Sequence, residues 1–203
     1  MPLVFKGEPP EVTQVVKARL NKMSAKKAYR TPRLAKAMLR KAVAAPVPTQ
    51  PLPVYNMKLS DLAENRDQRA AAQKSWRFLV KHDDEVVATA DALVGPNRKP
   101  VFSHVNEGPL VNGIVSAIQA ANAQDEVRNS RYEARLLMVP ALYVAALWLV
   151  DLSGDKDLVM VIEPAPPPFV ANKLIAVKDL ITRLQKMARD AIAAQPDETM
   201  GGS

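Results

Sequence analysis

Residues 135–151, RLLMVPALYVAALWLVD, decide the fold of this chain. From Leu136 to Val150 there is no charge. Pro140 divides the run, since proline donates no ladder hydrogen bond and belongs at a bulge or an edge. The reading is two strands, Arg131–Val139 and Ala141–Asp151, or one strand bent at the proline. Beyond Pro140 both faces are apolar. Leu142, Val144, Ala146 and Trp148 alternate with Tyr143, Ala145, Leu147 and Leu149, as in a strand buried on both sides. A buried helix is the alternative, because periodicity alone does not separate the two. The turn DLSGDKD directly after the run favours the strand. The run is shorter than the roughly 20 residues a membrane helix needs, so a soluble, cytoplasmic protein without a transmembrane segment is expected.

Working outward, DLVMVIEP reads as the return strand of a hairpin, ended by Pro164 and Pro166–Pro168. Residues 172–194 carry Leu174, Val177, Leu180, Ile181, Leu184, Met187 and Ile192 along one stripe, the pattern of an amphipathic helix. Upstream, Gly108-Pro109 starts a helix with Leu110, Ile114, Ala117, Ile118 and Ala121 on its apolar face. PVFSHV at 100–105 reads as a short strand. Trp76, Phe78 and Val80 begin a hairpin whose second strand is EVVATADALV, closed by Gly95-Pro96-Asn97. In that second strand Val86, Ala88, Ala90 and Ala92 form a face of small residues, which calls for a helix or a bulky side chain over it. LSDLAENRDQRAAAQKS reads as an alanine-rich helix capped by Ser60. The fold class expected is α+β: a small antiparallel sheet of four or five strands with helices packed on it.

The N-terminal quarter differs in charge. Residues 1–50 hold eleven Lys and Arg against two acids, a net of nine positive charges, while residues 51–203 hold 17 basic and 19 acidic residues. Two short helices are expected here. The first runs from Pro10 with Val12, Val15, Val16, Leu20 and Met23 on one side and Arg19, Lys22 and Lys26 at i, i+3, i+7 on another. The second is signalled by Thr31-Pro32, a capping residue followed by proline at the first helical position. It carries Arg33, Lys36 and Arg40 at the same spacing. Four prolines in PVPTQPLPV suggest a stiff polyproline-II connector. The expected organisation is a basic arm at 1–45, a proline-rich linker at 46–56, a globular domain at 57–194 and a disordered tail at 195–203. A chain beginning at Met57 is expected to stay folded.

The motifs of common chemistry are missing. Cysteine is absent, which excludes disulfides and thiolate metal sites. There is no GxxxxGK[ST], GxGxxG or HExxH. Asp151, Ser153, Asp155 and Asp157 alternate like the start of a calcium loop, but position six is Lys156 and position twelve Ile162, so a polar hairpin turn is the reading. His82 stands beside Asp83, Asp84 and Glu85 at a hairpin tip, where successive side chains diverge. His104, the other histidine, has Ser103 beside it, on the opposite face if the strand is regular. No catalytic residue, metal or cofactor is expected.

The basic arm remains. Its expected role is non-enzymatic: Arg19, Lys22, Lys26, Arg33, Lys36 and Arg40 engage a partner protein, or the arm reaches a second copy of the chain. Nucleic acid bound without sequence specificity and an anionic membrane surface are the alternatives. An active site built from carboxylates or a histidine far apart in sequence is the competing class.

Overall fold

The computed structural model describes residues 3–5, 7–25, 32–39, 46–83, 85–94 and 99–194. Eight strands form one sheet: β1 (Val47–Asn56), β2 (Ala72–His82), β3 (Glu85–Val94), β4 (Pro100–Asn106), β5 (Tyr132–Val139), β6 (Val144–Asp151), β7 (Leu158–Val161) and β8 (Leu174–Ala176). The helices are α1 (Pro10–Ala25), α2 (Pro32–Leu39), α3 (Leu59–Ala63), α4 (Pro109–Ala123), α5 (Asp125–Arg128) and α6 (Val177–Ala193). Strand order is β4-β3-β2-β1-β5-β6-β7-β8, and every neighbouring pair is antiparallel except β1 with β5. The fold is α+β, but the expected sheet of four or five antiparallel strands is wrong: the sheet has eight strands and is mixed.

The extra strands come from segments whose composition pointed elsewhere. The proline-rich stretch read as a linker is β1, which lies in the middle of the sheet between β2 and β5. Its prolines are tolerable because β1 is doubly paired over only a short length. Val54–Asn56 run beside Leu136–Met138 of β5, whereas Pro48 and Pro53 pair only with β2, opposite Val80 and Trp76. A missing N–H on the unpaired side breaks no ladder bond. The register shifts between Thr49 and Leu52, where Gln50 takes a left-handed conformation at φ 47°. Further along, Leu174–Ala176, read as the first turn of the last helix, form β8, and α6 begins only at Val177.

The long alanine-rich helix expected up to Ser75 is also corrected. It is the short α3 and a 3-10 turn at Gln68–Ala70, and β2 has begun by Ala72. Asn65 at φ 59° stops α3, and the Asp67 carboxylate takes the Arg69 backbone N–H at 2.9 Å. Alanines without a large apolar stripe give a helix nothing to bury, so local capping wins.

The central run is two strands, β5 and β6, hinged by a 3-10 turn at Pro140–Leu142 with Tyr143 left-handed at φ 54°. Its two faces feed different cores. Ala134, Leu136, Ala145, Leu147 and Leu149 pack with Leu52, Val54 and Leu79 beneath Ile114, Ala117, Ile118 and Ala121 of α4. Leu137, Val139, Val144, Ala146 and Trp148 lie on the other side, under α3 and α6 through Leu62, Leu180, Ile181 and Leu184. Trp148 also donates its indole N–H to Asp157 at 2.9 Å.

The small-residue face of β3 is covered by α1. Val12, Val16 and Leu20 pack on Trp76, Phe78, Val80, Ala88, Ala90 and Ala92. Val86 is not on that face. A register shift between Val80 and Lys81 turns Val87 into this core, and Val86 packs on the α4 side. Three alanines in a row leave room for a helix to sit close, so α1 is built into the molecule by burial. Among the described residues no helix is long and apolar enough to cross a membrane.

Candidate partner-binding groove

The pattern of α4 creates a groove. Gly108, at φ 116°, and Pro109 set its first turn. Val111, Ile114, Ala117, Ile118 and Ala121 are buried, which leaves Asn112, Val115, Ser116 and Gln119 on the other side. Gly113 fixes how the helix is seated. A Cβ there would stand 2.2 Å from the Glu163 carbonyl oxygen, so the helix backbone lies against the chain just beyond β7. On its other side α4 faces strands β1–β3 and does not fill the space against them. A cavity of about 590 Å³ remains, lined by Gln50, Leu79, Lys81, Glu85 and Val86 from the strands and by Asn112, Val115, Ser116, Ile118, Gln119 and Asn122 from α4. Arg33 of α2 completes its rim.

Three of the polar side chains are already held. Asn112 accepts from Arg33 Nη1 at 3.1 Å. Ser116 Oγ accepts from Asn172 Nδ2 at 3.1 Å. Asn122 accepts the Leu3 backbone N–H at 3.3 Å and donates to the Ile118 carbonyl at 3.0 Å. The Arg33 backbone N–H donates to Glu107 Oε2 at 2.8 Å, so α2 is pinned at the mouth by its first turn. Gln50, Lys81, Glu85 and Gln119 line the same space, and no side-chain hydrogen bond or ion pair is seen for them among the described residues.

The six basic residues expected to act together are not one surface. Arg19 and Lys22 lie on exposed positions of α1, on the side of the sheet that α1 shares with α6, and the Arg19 guanidinium stacks 5.6 Å from the Phe102 ring centre. Arg33 is on the α4 side, and Lys36 is an exposed residue of α2. Lys26 and Arg40 lie outside the described residues, as do Thr31, Asp84, the 95–97 turn and the 195–203 tail. The equal spacing in the two helices was legible, but which side of the sheet each helix takes was not.

No family model, curated protein or solved structure matches this chain.

A second polar cluster lies on β2–β4. Arg77 and Asp91 are buried cross-strand partners, joined by two hydrogen bonds of 2.8 and 2.7 Å. The β3–β4 register shifts between Asp91 and Ala92, which makes Ser103 the extra residue. A bulge of this kind re-aims a side chain. Ser103 Oγ consequently sits 2.6 Å from His104 Nδ1 instead of facing away, which corrects the opposite-faces reading. His104 Nε2 is 3.7 Å from Asp91 Oδ2. That is beyond hydrogen-bond length, and both Asp91 oxygens are taken by Arg77. The hydrogen bonds of Asp91 therefore run to Arg77, across β2 and β3, while the Ser103–His104 contact lies within β4.

Two acids of the DxSxDxD stretch, Asp151 and Asp157, are used inside their turn. Asp151 accepts the Ser153 N–H at 2.8 Å, and Asp157 accepts the Asp151 N–H at 3.0 Å. Among the described residues no group of three or more His, Asp or Glu is arranged to hold a metal ion. Arg135 is half-buried, its guanidinium 5.2 and 5.3 Å from the centres of the Tyr55 and Trp148 rings. Burial alone would lower its pKa; the hydrogen bond and charge of Glu133, at 2.7 Å, outweigh that and hold it above the ordinary arginine value.

Proposed function

We propose that this protein is a non-enzymatic interaction module that takes an acidic segment of a partner protein into the groove between α4, α2 and strands β1–β3. The observation that carries the reading is the convergence of Arg33 and Lys81 with unengaged amide side chains in one concave site. Arg33 is the one described basic residue of the predicted set that lines this concavity. Two cations at a groove steer an acidic segment and select against a basic one. Binding of nucleic acid is less well supported. The basic residues of α1 and α2 stand on opposite sides of the sheet, so they do not line up along a row of phosphates, which is what phosphate neutralisation requires.

The test is fluorescence anisotropy of the full chain with two labelled probes, a dodecapeptide of alternating Glu and Ser and a DNA duplex. Reversing charge at the groove, Arg33→Glu with Lys81→Glu, is expected to abolish peptide binding. Arg19→Glu with Lys22→Glu is expected to leave it within about twofold. If the α1 pair removes binding and the groove pair does not, the function belongs to the helix surface and this reading fails.

A further inference from the structure

We infer that the groove holds its partner segment as an extended peptide and reads the backbone amides as well as acidic side chains. This rests on the groove being the partner site. Gln50 and Gln119 are carboxamides without hydrogen bonds among the described residues, and each offers two donors and an acceptor. Carboxamides match the donor and acceptor of a peptide bond. They would also match a nucleobase edge, but bases bound without a duplex call for aromatic stacking platforms. The lining described here holds none: its apolar part is Leu79, Val86, Val115 and Ile118. An extended backbone needs no aromatic surface, only hydrogen-bond partners on the walls and aliphatic side chains beneath.

The length of the α4 wall sets the size of the segment. From Asn112 to Asn122 the wall is about 15 Å long, which takes four to five residues of extended chain. Lys81 and Arg33 then supply the charge for carboxylates on the segment. Glu85 lines the same groove and repels a carboxylate, so the acidic side chains of the segment belong at Arg33 and Lys81.

A phage-displayed library of random linear dodecapeptides, panned on the full-length protein, tests this. Enriched peptides are expected to carry Asp or Glu. One of them, made synthetically, is expected to bind at least tenfold more weakly to Lys81→Glu. Gln119→Leu, at an exposed position outside the core, is expected to weaken it three- to tenfold. N-methylation of alternate amides in the same peptide is expected to weaken it at least tenfold. If methylation and Gln119→Leu change nothing while Lys81→Glu still does, the extended-backbone inference is overturned and the acidic-partner reading survives. No enrichment, or binding indifferent to both protein variants, overturns both.

Discussion

The Arg77–Asp91 pair is the residue with the sharpest consequence if altered. Its side chains keep only 10% and 5% of their exposure. Removing one partner leaves the other charge buried and unpaired, which is costlier than losing both. Asp91→Ala is expected to lower stability by about 3–5 kcal/mol in urea denaturation. Arg77→Met with Asp91→Leu is expected to recover most of that loss. If the single and double variants unfold at the same urea concentration, the pair is not the source of the effect. Tyr132 gives a pH prediction. Burial, and then the charges of Asp151, Glu126 and Asp157, hold its phenol above the ordinary value of 10.0. The folded state therefore keeps that proton longer than the unfolded state does. The stabilisation is complete below pH 10 and is lost as the pH rises through the raised folded value. Unfolding followed from pH 9 to 11.5 is expected to show this decline, and Tyr132→Phe is expected to flatten it. Arg77 and Asp91 were not legible as a pair, because they come together only through the β2–β3 register.

Among the elements, α1 covers one face of the sheet and α4 lies on the other. The amphipathic pattern of α1 was plain, and so was the need of the β3 alanines for a cover. That one answers the other is a matter of tertiary packing. Leu20→Ala, at a fully buried position, is expected to cost about 2–5 kcal/mol and to shift Trp76 fluorescence to the red. Unchanged emission and stability would mean that α1 is not seated on the sheet. For α4 the telling position is Gly113. The atom nearest to an added Cβ is backbone, the Glu163 carbonyl oxygen, so no side-chain rotation relieves the contact. Gly113→Ala is expected to destabilise by about 1–3 kcal/mol and to change the width of the groove, read as altered peptide affinity. A glycine in a helix is easy to see in sequence; that it lies against the Glu163 carbonyl is not.

For the whole molecule, β1 replaces the idea of a detachable arm. It is the strand between β2 and β5, joining the β2–β4 half of the sheet to the β5–β8 half. A chain starting at Met57 loses β1 and α1 together, and it is now expected to lack a cooperative unfolding transition. A sharp melt with native-like circular dichroism would restore the arm-and-body organisation. Of the predicted binding residues, Arg33 reaches a concave site and Arg19 stacks on Phe102. Lys81, Gln50 and Gln119 were not found, since single polar residues on separate strands and a helix carry no spacing signal.

The run at 135–151 by itself located the centre of the core, because its lack of charge and the break at Pro140 are local properties; that it forms two strands and not a buried helix was decided by the structure. Composition likewise determined the basic N-terminal quarter and the absence of thiol chemistry. Tertiary structure decided the rest. It turned a proline-rich stretch into the strand between the two halves, since a strand paired mainly on one side can spare the N–H groups that proline lacks. It sent the two basic helices to opposite sides of the sheet. It left a cavity between α4, α2 and strands β1–β3, and no periodicity in the sequence records it.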